Sequence, residues 1–173
     1  MEKAVCCLYT KDYSQPIKPY LRYKNLKNRI IAMPAYLGNN FNIAGIKWIA
    51  SFPDNINNGI PRAHSVLILN NANTGIPACI INTPLLSVIR TASVSGSILK
   101  KYLDIRKKEN LKVGIIGFGP IGQYHYKMCK SLIKNCDVQY LIYDLKPIRD
   151  VIKKDKLYEQ NRGKKLFAIL ISL

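Results

Sequence analysis

The spacing of apolar and polar positions divides the chain into short elements of changing period. Val5, Leu8 and Tyr9 recur at helical spacing within residues 1–12, so a short amphipathic helix is expected there, entered without a capping residue. Pro16 and Pro19 then force extended backbone over 15–23, because a proline bars the residue before it from helical angles. The stretch 29–37 predicts a strand that stops at Gly38, and 41–51 predicts a second. A turn-rich piece, 53–59, separates these from 65–69 and 76–81, which form a hairpin-like pair around the Asn- and Gly-rich turn at 70–75. Thr83 is placed as an N-cap with Pro84 in the first helical position, and Leu86, Ile89, Val94 and Ile98 carry that helix to about Leu103.

The charged piece 104–110 marks a domain boundary, with residues 1–104 before it and 105–173 after it. Beyond it the order becomes strand 111–116, helix 120–133, strand 138–143, a basic helix over 149–159 and a last apolar strand over 166–173. Strands alternating with helices predict a parallel sheet covered on both faces. The expected fold class is α/β: a mixed-sheet domain followed by a parallel, doubly wound one.

Composition narrows the function classes. With 173 residues and 48% hydrophobic content the chain can close a core, which argues against a disordered chain. No run approaches the roughly 18 apolar residues of a membrane span, so a soluble, cytoplasmic protein without a membrane partner is expected. Five cysteines in no CxxC spacing support neither a disulfide framework nor a metal site. The net charge of +17 would attract a polyanion, yet 20 of the 27 basic residues are lysines spread along the whole chain. Without an aromatic-interleaved basic motif the charge is read as solvated surface, and no nucleic-acid partner is expected.

One motif carries chemistry by its setting. Gly117-Phe-Gly119-Pro120-Ile121-Gly122 is a GxGxxG run that follows the β-branched strand ending at Ile116 and opens a helix. Gly117 permits the tight turn, Gly119 lets backbone approach a pyrophosphate, and Gly122 lets helix and strand pack closely. The diphosphate would rest on unpaired helix N–H groups. Asp144, at the end of the next strand, suits the ribose hydroxyls and repels a 2′-phosphate, which favours NAD over NADP. The competing reading is a glycine-rich connection with a surface aspartate.

Arg29, Lys47 and Arg90 lie inside apolar segments, where a cation is costly unless paired. An anionic ligand would pair them: arginine forks bind carboxylates through two parallel hydrogen bonds, and a desolvated lysine is suited to proton transfer. The alternative is that each side chain reaches water, or meets Asp12 or Asp54.

The strings Gln15-Pro-Ile-Lys-Pro-Tyr-Leu-Arg22, Asn28-Arg-Ile-Ile-Ala-Met-Pro34, Gly45-Ile-Lys-Trp-Ile49 and Ile89-Arg-Thr-Ala-Ser-Val-Ser95, with the glycine run and Tyr143-Asp144, resemble the ornithine cyclodeaminase/mu-crystallin family. The likeness is greatest to its 2,3-diaminopropionate branch, the N-(2-amino-2-carboxyethyl)-L-glutamate dehydrogenases of siderophore and antibiotic precursor pathways. It runs from about Ala4 to Asp150. The resemblance implies a substrate-binding and dimerisation domain followed by a Rossmann domain, with the reaction in the cleft between them. It implies that Arg29 and Lys47 hold a substrate carboxylate, with Lys47 also moving a proton near the reacting nitrogen. Arg90 would bind substrate carboxylate beside the cofactor, Thr91 would touch the cofactor, and Gly117, Gly119, Pro120, Ile121, Gly122 and Asp144 would cradle NAD. In that branch NAD takes hydride from the glutamate α-carbon, and the imine is hydrolysed to 2-oxoglutarate and L-2,3-diaminopropionate. The alternatives are an ornithine cyclodeaminase, which releases ammonia, and a non-catalytic nucleotide-binding remnant.

Two departures accompany the likeness. His64-Ser65 stands where the family has a small hydroxyl residue, so that His64 would crowd the nicotinamide side or sit as a surface histidine. The family's chains are also roughly twice as long, beyond the single-domain range. An incomplete Rossmann half, a clipped N-terminal helix and a homodimer only of the complete fold are therefore expected.

Overall fold

The computed structural model describes residues 1–106, 110–134, 136–145 and 148, and the backbone of strand 157–159. The chain divides into two compact units, Met1–Ser87 and Val88–Leu173. The division falls within a helix, ahead of the charged piece that marks the boundary in the sequence.

In the leading unit, α1 (Glu2–Thr10) ends at Lys11 in the left-handed region, φ 56°. Its expected apolar side is solvent-exposed, Val5, Leu8 and Tyr9 all lying on the surface, and the small Cys7 is the buried residue instead. Asn39 holds the helix from the sheet side, donating from Nδ2 to Thr10 Oγ1 at 2.9 Å and approaching Cys7 Sγ at 3.4 Å. Asp12 accepts from the Asn39 N–H. Partial burial, and after it the Asp12 carboxylate to which it is hydrogen-bonded, raises the Tyr36 hydroxyl above its usual range.

The sheet of this unit is an antiparallel meander of β3 (Arg29–Leu37), β4 (Ile43–Ser51), β5 (Ala63–Asn71) and β6 (Pro77–Asn82). Two short strands, β1 (Tyr13–Ser14) and β2 (Tyr20–Leu21), both pair with the free edge of β3, as the proline-enforced extension over 15–23 allows. The turn-rich piece between β4 and β5 is a 3-10 helix, Pro53–Asn58. Facing residues of an antiparallel pair share a face, and alternate residues change face. The register therefore sorts the meander into rows: Arg29 opposite Ser51 opposite Ala63, then Ile31 opposite Ile49 opposite Ser65, then Met33 opposite Lys47 opposite Leu67 on one face. The other face carries Ala32, Trp48 and Val66 in one row, and Pro34, Ile46, Ile68 and Ile80 in the next.

The trailing unit begins within α2 (Leu85–Ile105), whose Leu85 N–H is capped by Thr83 Oγ1 at 3.1 Å as the Thr-Pro pair predicts. It continues with β7 (Asn110–Ile116), α3 (Pro120–Leu132) and β8 (Asp137–Tyr143). β7 and β8 are parallel neighbours, and the short β9 (Leu157–Glu159) pairs in parallel on the far side of β8. The basic helix expected over 149–159 thus ends in a strand; the rest of that stretch, and the strand expected over 166–173, lie outside the described residues. Ile115, Phe118, Tyr126, Cys129, Ile133, Tyr140 and Ile142 close one core between the sheet and α3, with Leu99, Leu103 and Met128 packed against it. Burial raises the Cys129 thiol, and burial followed by the neighbouring Cys129 pushes Tyr140 up to about 12. On the opposite face of β7, Lys112, Gly114 and Ile116 are exposed among the described residues. No described helix is long and apolar enough to cross a membrane, and all five cysteines are free thiols.

Candidate functional site

The leading unit contributes a cationic sheet face. Arg29 and Lys47 stand on the same face, one strand apart and four residues apart along the strands, about 13 Å at the usual rise. Both are half-buried. The Arg29 Nε is buried and has no hydrogen-bond partner, and neither has the buried Oδ1 of adjacent Asn28. A buried donor left unpaired costs free energy until an acceptor arrives. The acids that the sequence offered as partners are engaged elsewhere, Asp12 with Asn39 and Asp54 with the Asn25 amide. Between the Arg29 and Lys47 rows lies Ser65, 5% exposed and the buried polar residue of this unit. His64, exposed, pairs opposite Ala50, which stands opposite Ile30, on the other face of the sheet.

The trailing unit contributes a backbone site. Gly117 adopts φ 88°, a left-handed angle that favours glycine, and its N–H donates to the Tyr143 carbonyl at 2.7 Å, which ties the loop to the end of β8. A Cβ at Gly122 would overlap the Gly117 carbonyl, so only glycine lets α3 start this close to the strand. Phe118 points into the core and meets Tyr126 edge-on at 6.0 Å, which anchors the loop from below. Its N–H donates to Asp144 Oδ2, and its carbonyl accepts from Gln123 Nε2 at 3.2 Å. Gly119, the N-cap of α3, has open space beside it, Pro120 fills the first helical position, and no side chain caps the helix. The early N–H groups of Ile121 and Gly122 therefore sit in a helix N-terminus suited to an anion. Asp144 thus has a loop-fixing hydrogen bond as well as the position read for it in the sequence.

Arg90 and Thr91 ride on α2. Arg90 is solvent-exposed, so its apolar sequence neighbours impose no desolvation cost, while Thr91 is half-buried. The sequence reading missed Phe118, Gln123, Ser65, Asn28 and a hydrogen-bonded pair, Ser95 with His125. Strand alternation would have found Ser65, and the four-residue spacing from Thr91 to Ser95 and from Ile121 to His125 would have placed the last two.

The chain is similar to known proteins over most of its length. Residues 6–157 match the ornithine cyclodeaminase/mu-crystallin family. Over 140 residues the chain is 39% identical to the N-((2S)-2-amino-2-carboxyethyl)-L-glutamate dehydrogenase of Staphylococcus aureus, covering 77% of this chain and 40% of that protein. Its fold is similar to that of the Thermococcus litoralis Delta(1)-pyrroline-2-carboxylate reductase in complex with NADH and L-proline, with a TM-score of 0.72, 26% identity, and coverage of 84% of this chain and 43% of that one. It is similar also to an archaeal alanine dehydrogenase dimer with bound NAD, with a TM-score of 0.70, 28% identity, and coverage of 83% and 42%. The chain spans less than half the length of each of these relatives. From the match across both units it follows that the chain belongs to the ornithine cyclodeaminase/mu-crystallin family.

Proposed function

We propose that the chain is the substrate-binding and leading nucleotide-binding portion of an NAD-dependent dehydrogenase acting on N-(2-amino-2-carboxyethyl)-L-glutamate. The observation that carries this reading is the shared face of Arg29 and Lys47, with an unpartnered buried Nε on the first. Two cations facing the same way suit a substrate with several carboxylates. Arg29 grips one carboxylate through its fork, and Lys47 holds an acid group and is placed for proton transfer near the reacting nitrogen. Arg90 presents a further cation from α2, with Thr91 beside the cofactor. The uncapped start of α3, the open space at Gly119 and the carboxylate at the end of β8 fit a dinucleotide: diphosphate on the Ile121 and Gly122 amides, adenosine ribose toward Asp144. When bound, NAD supplies the acceptor for the hydride leaving the glutamate α-carbon.

A second copy of the chain is the proposed protein partner. The sheet face opposite Arg29 and Lys47 is apolar over two rows except for Asn82 opposite Val66, and on it Trp48 is 44% and Ile80 68% exposed. An apolar area of that kind is ordinarily covered. Calorimetric titration tests the functional reading: NAD is expected to bind the purified chain, and the glutamate conjugate to bind more tightly than ornithine, which carries one carboxylate. No heat from NAD at millimolar concentration would remove the cofactor assignment; preference for ornithine would remove the substrate.

A further inference from the structure

The contacts that set α2 against α3 are mostly apolar packing, and one hydrogen bond among them, Ser95 with His125, is directional. We infer that His125, through its hydrogen bond to Ser95, is a positioning residue that fixes the register of α2, and with it Arg90 and Thr91, against the first turn of the dinucleotide loop helix. The inference rests on the cofactor reading above, because the value of that register lies in what Arg90 and Thr91 meet.

The geometry begins with a carbonyl. His125 Nδ1 lies 2.9 Å from the Ile121 carbonyl oxygen, which can only accept, so Nδ1 carries the hydrogen. In the neutral ring Nε2 is then the acceptor, 2.9 Å from Ser95 Oγ, whose O–H donates to it. The local helix bond thus selects the tautomer that can receive the hydroxyl from across the gap. The neighbouring serines of α2 behave otherwise. Ser93 donates to the Ile89 carbonyl at 2.9 Å and Ser97 to the Ser93 carbonyl at 3.0 Å, both folded back on their own helix. Ser95 instead turns toward α3.

The position of this link gives it leverage. Ile121 belongs to the glycine run and opens α3, so the ring is tied to the proposed diphosphate cradle. Ser95 lies one turn beyond Thr91, on the same side of α2. The bond sits beside a close contact of the two helices, where buried Gly96 leaves room for Met128: a Cβ on Gly96 would lie 3.0 Å from its Cγ and Sδ. That contact and those of Leu99 and Leu103 are apolar and non-directional, and permit a small slide or rotation of α2. A hydrogen bond with a fixed donor and acceptor does not.

The test is a set of NAD titrations with parallel melting curves on the purified chain. Ser95→Ala and His125→Asn each break the link, the asparagine keeping the bond to the Ile121 carbonyl while falling short of Ser95. Each is expected to weaken NAD binding about tenfold, the equivalent of one buried hydrogen bond. His125→Gln, whose Oε1 extends toward Ser95, is expected to recover affinity to within about threefold of the parent. The double variant Ser95→Ala/His125→Asn is expected to bind no more weakly than either single one. Lower melting temperatures with unchanged affinity, measured well below the melt, would make the pair a structural brace and overturn the inference, as would additive losses in the double variant. If the parent chain does not bind NAD, the cofactor reading and this inference fall together; if it binds and the variants bind equally well, this inference alone falls.

Discussion

In the trailing unit the candidate site is made of backbone: a left-handed Gly117, a helix start without a side-chain cap, and a loop whose Phe118 is seated in a core of seven buried residues. In the leading unit it is made of two long side chains whose placement comes from the pairing register of β3 and β4. The packing behind them differs as much. The leading unit buries Cys7 of α1 with Ile31 and Ser65 of its sheet and exposes apolar residues on one sheet face, whereas the trailing unit closes its core between sheet and helix. The difference teaches which half can hold its chemistry alone. A loop clamped by a closed core keeps its shape in the isolated chain, while a sheet exposed on an apolar face gains stability from whatever covers that face.

The largest expected effect tests the backbone half. Gly122→Ala pushes a methyl group into the Gly117 carbonyl, and the loop has to open to admit it. Urea unfolding should show a loss of about 3 kcal/mol, the upper range for backbone strain, with NAD binding abolished. Carboxylate binding by the leading sheet should remain, since no residue of the glycine loop belongs to the Arg29–Lys47 face. Loss of both would show that the two halves depend on one another.

Next in size is the side-chain half. Arg29→Met and Lys47→Met each remove a charged hydrogen-bonding group of about 1.5–3 kcal/mol, so the conjugate should bind roughly ten- to a hundredfold more weakly, with NAD affinity unchanged. Arg29→Met has a second signature. Because Nε is buried without a partner in the unliganded chain, replacing it with a thioether of similar length should leave the melting temperature unchanged or raise it. A marked drop in melting temperature would mean that Arg29 is a structural residue with a partner.

The third prediction concerns the apolar face. Trp48→Lys and Ile80→Lys place charges in its two rows, and sedimentation should move from dimer toward monomer for both. The melting temperature of the parent chain should rise with protein concentration and that of the variants should not. Unchanged sedimentation would mean that the second copy does not cover this face.

These contrasts also explain what could be read from residue order. The strand Arg29–Leu37, the Thr83 cap and the glycine run were legible because each is specified within a few residues: β-branched runs, a capping hydroxyl before a proline, a strand feeding glycines. That Arg29 and Lys47 share a face was not, since it depends on which residue of β4 stands opposite Met33. The same register sends His64 to the far side while Ser65 faces the cations. Residue size misled at α1, where Val5, Leu8 and Tyr9 outweigh Cys7 in any measure of hydrophobicity, yet Cys7 is the residue that meets Asn39. Lysine-rich composition misled at β9, where parallel pairing with β8 overrides helical propensity. Phe118 went unnoticed because it occupies a position that the glycine pattern leaves free, although its ring is what seats the loop.

The smallest effect separates the two cores by pH. Tyr140 is buried in the trailing core, edge-on to Tyr126 at 4.9 Å, and burial with the neighbouring Cys129 pushes its hydroxyl up to about 12 from the ordinary 10.0. The folded chain therefore keeps this proton at pH values where the unfolded chain has lost it, and unfolding releases a proton. By linkage, the contribution is fully present below pH 10 and declines as the pH rises toward 12. The melting temperature of the trailing unit should fall across that window. Tyr140→Phe keeps the ring and the edge-on contact but has no proton to lose, so its curve should be flatter than the parent's over the same range. Tyr36 is also raised, by partial burial and by Asp12, so Tyr36→Phe is the control for the leading unit. If it flattens the loss as much as Tyr140→Phe does, the alkaline weakness belongs to both units, and the closed core does not set the trailing one apart.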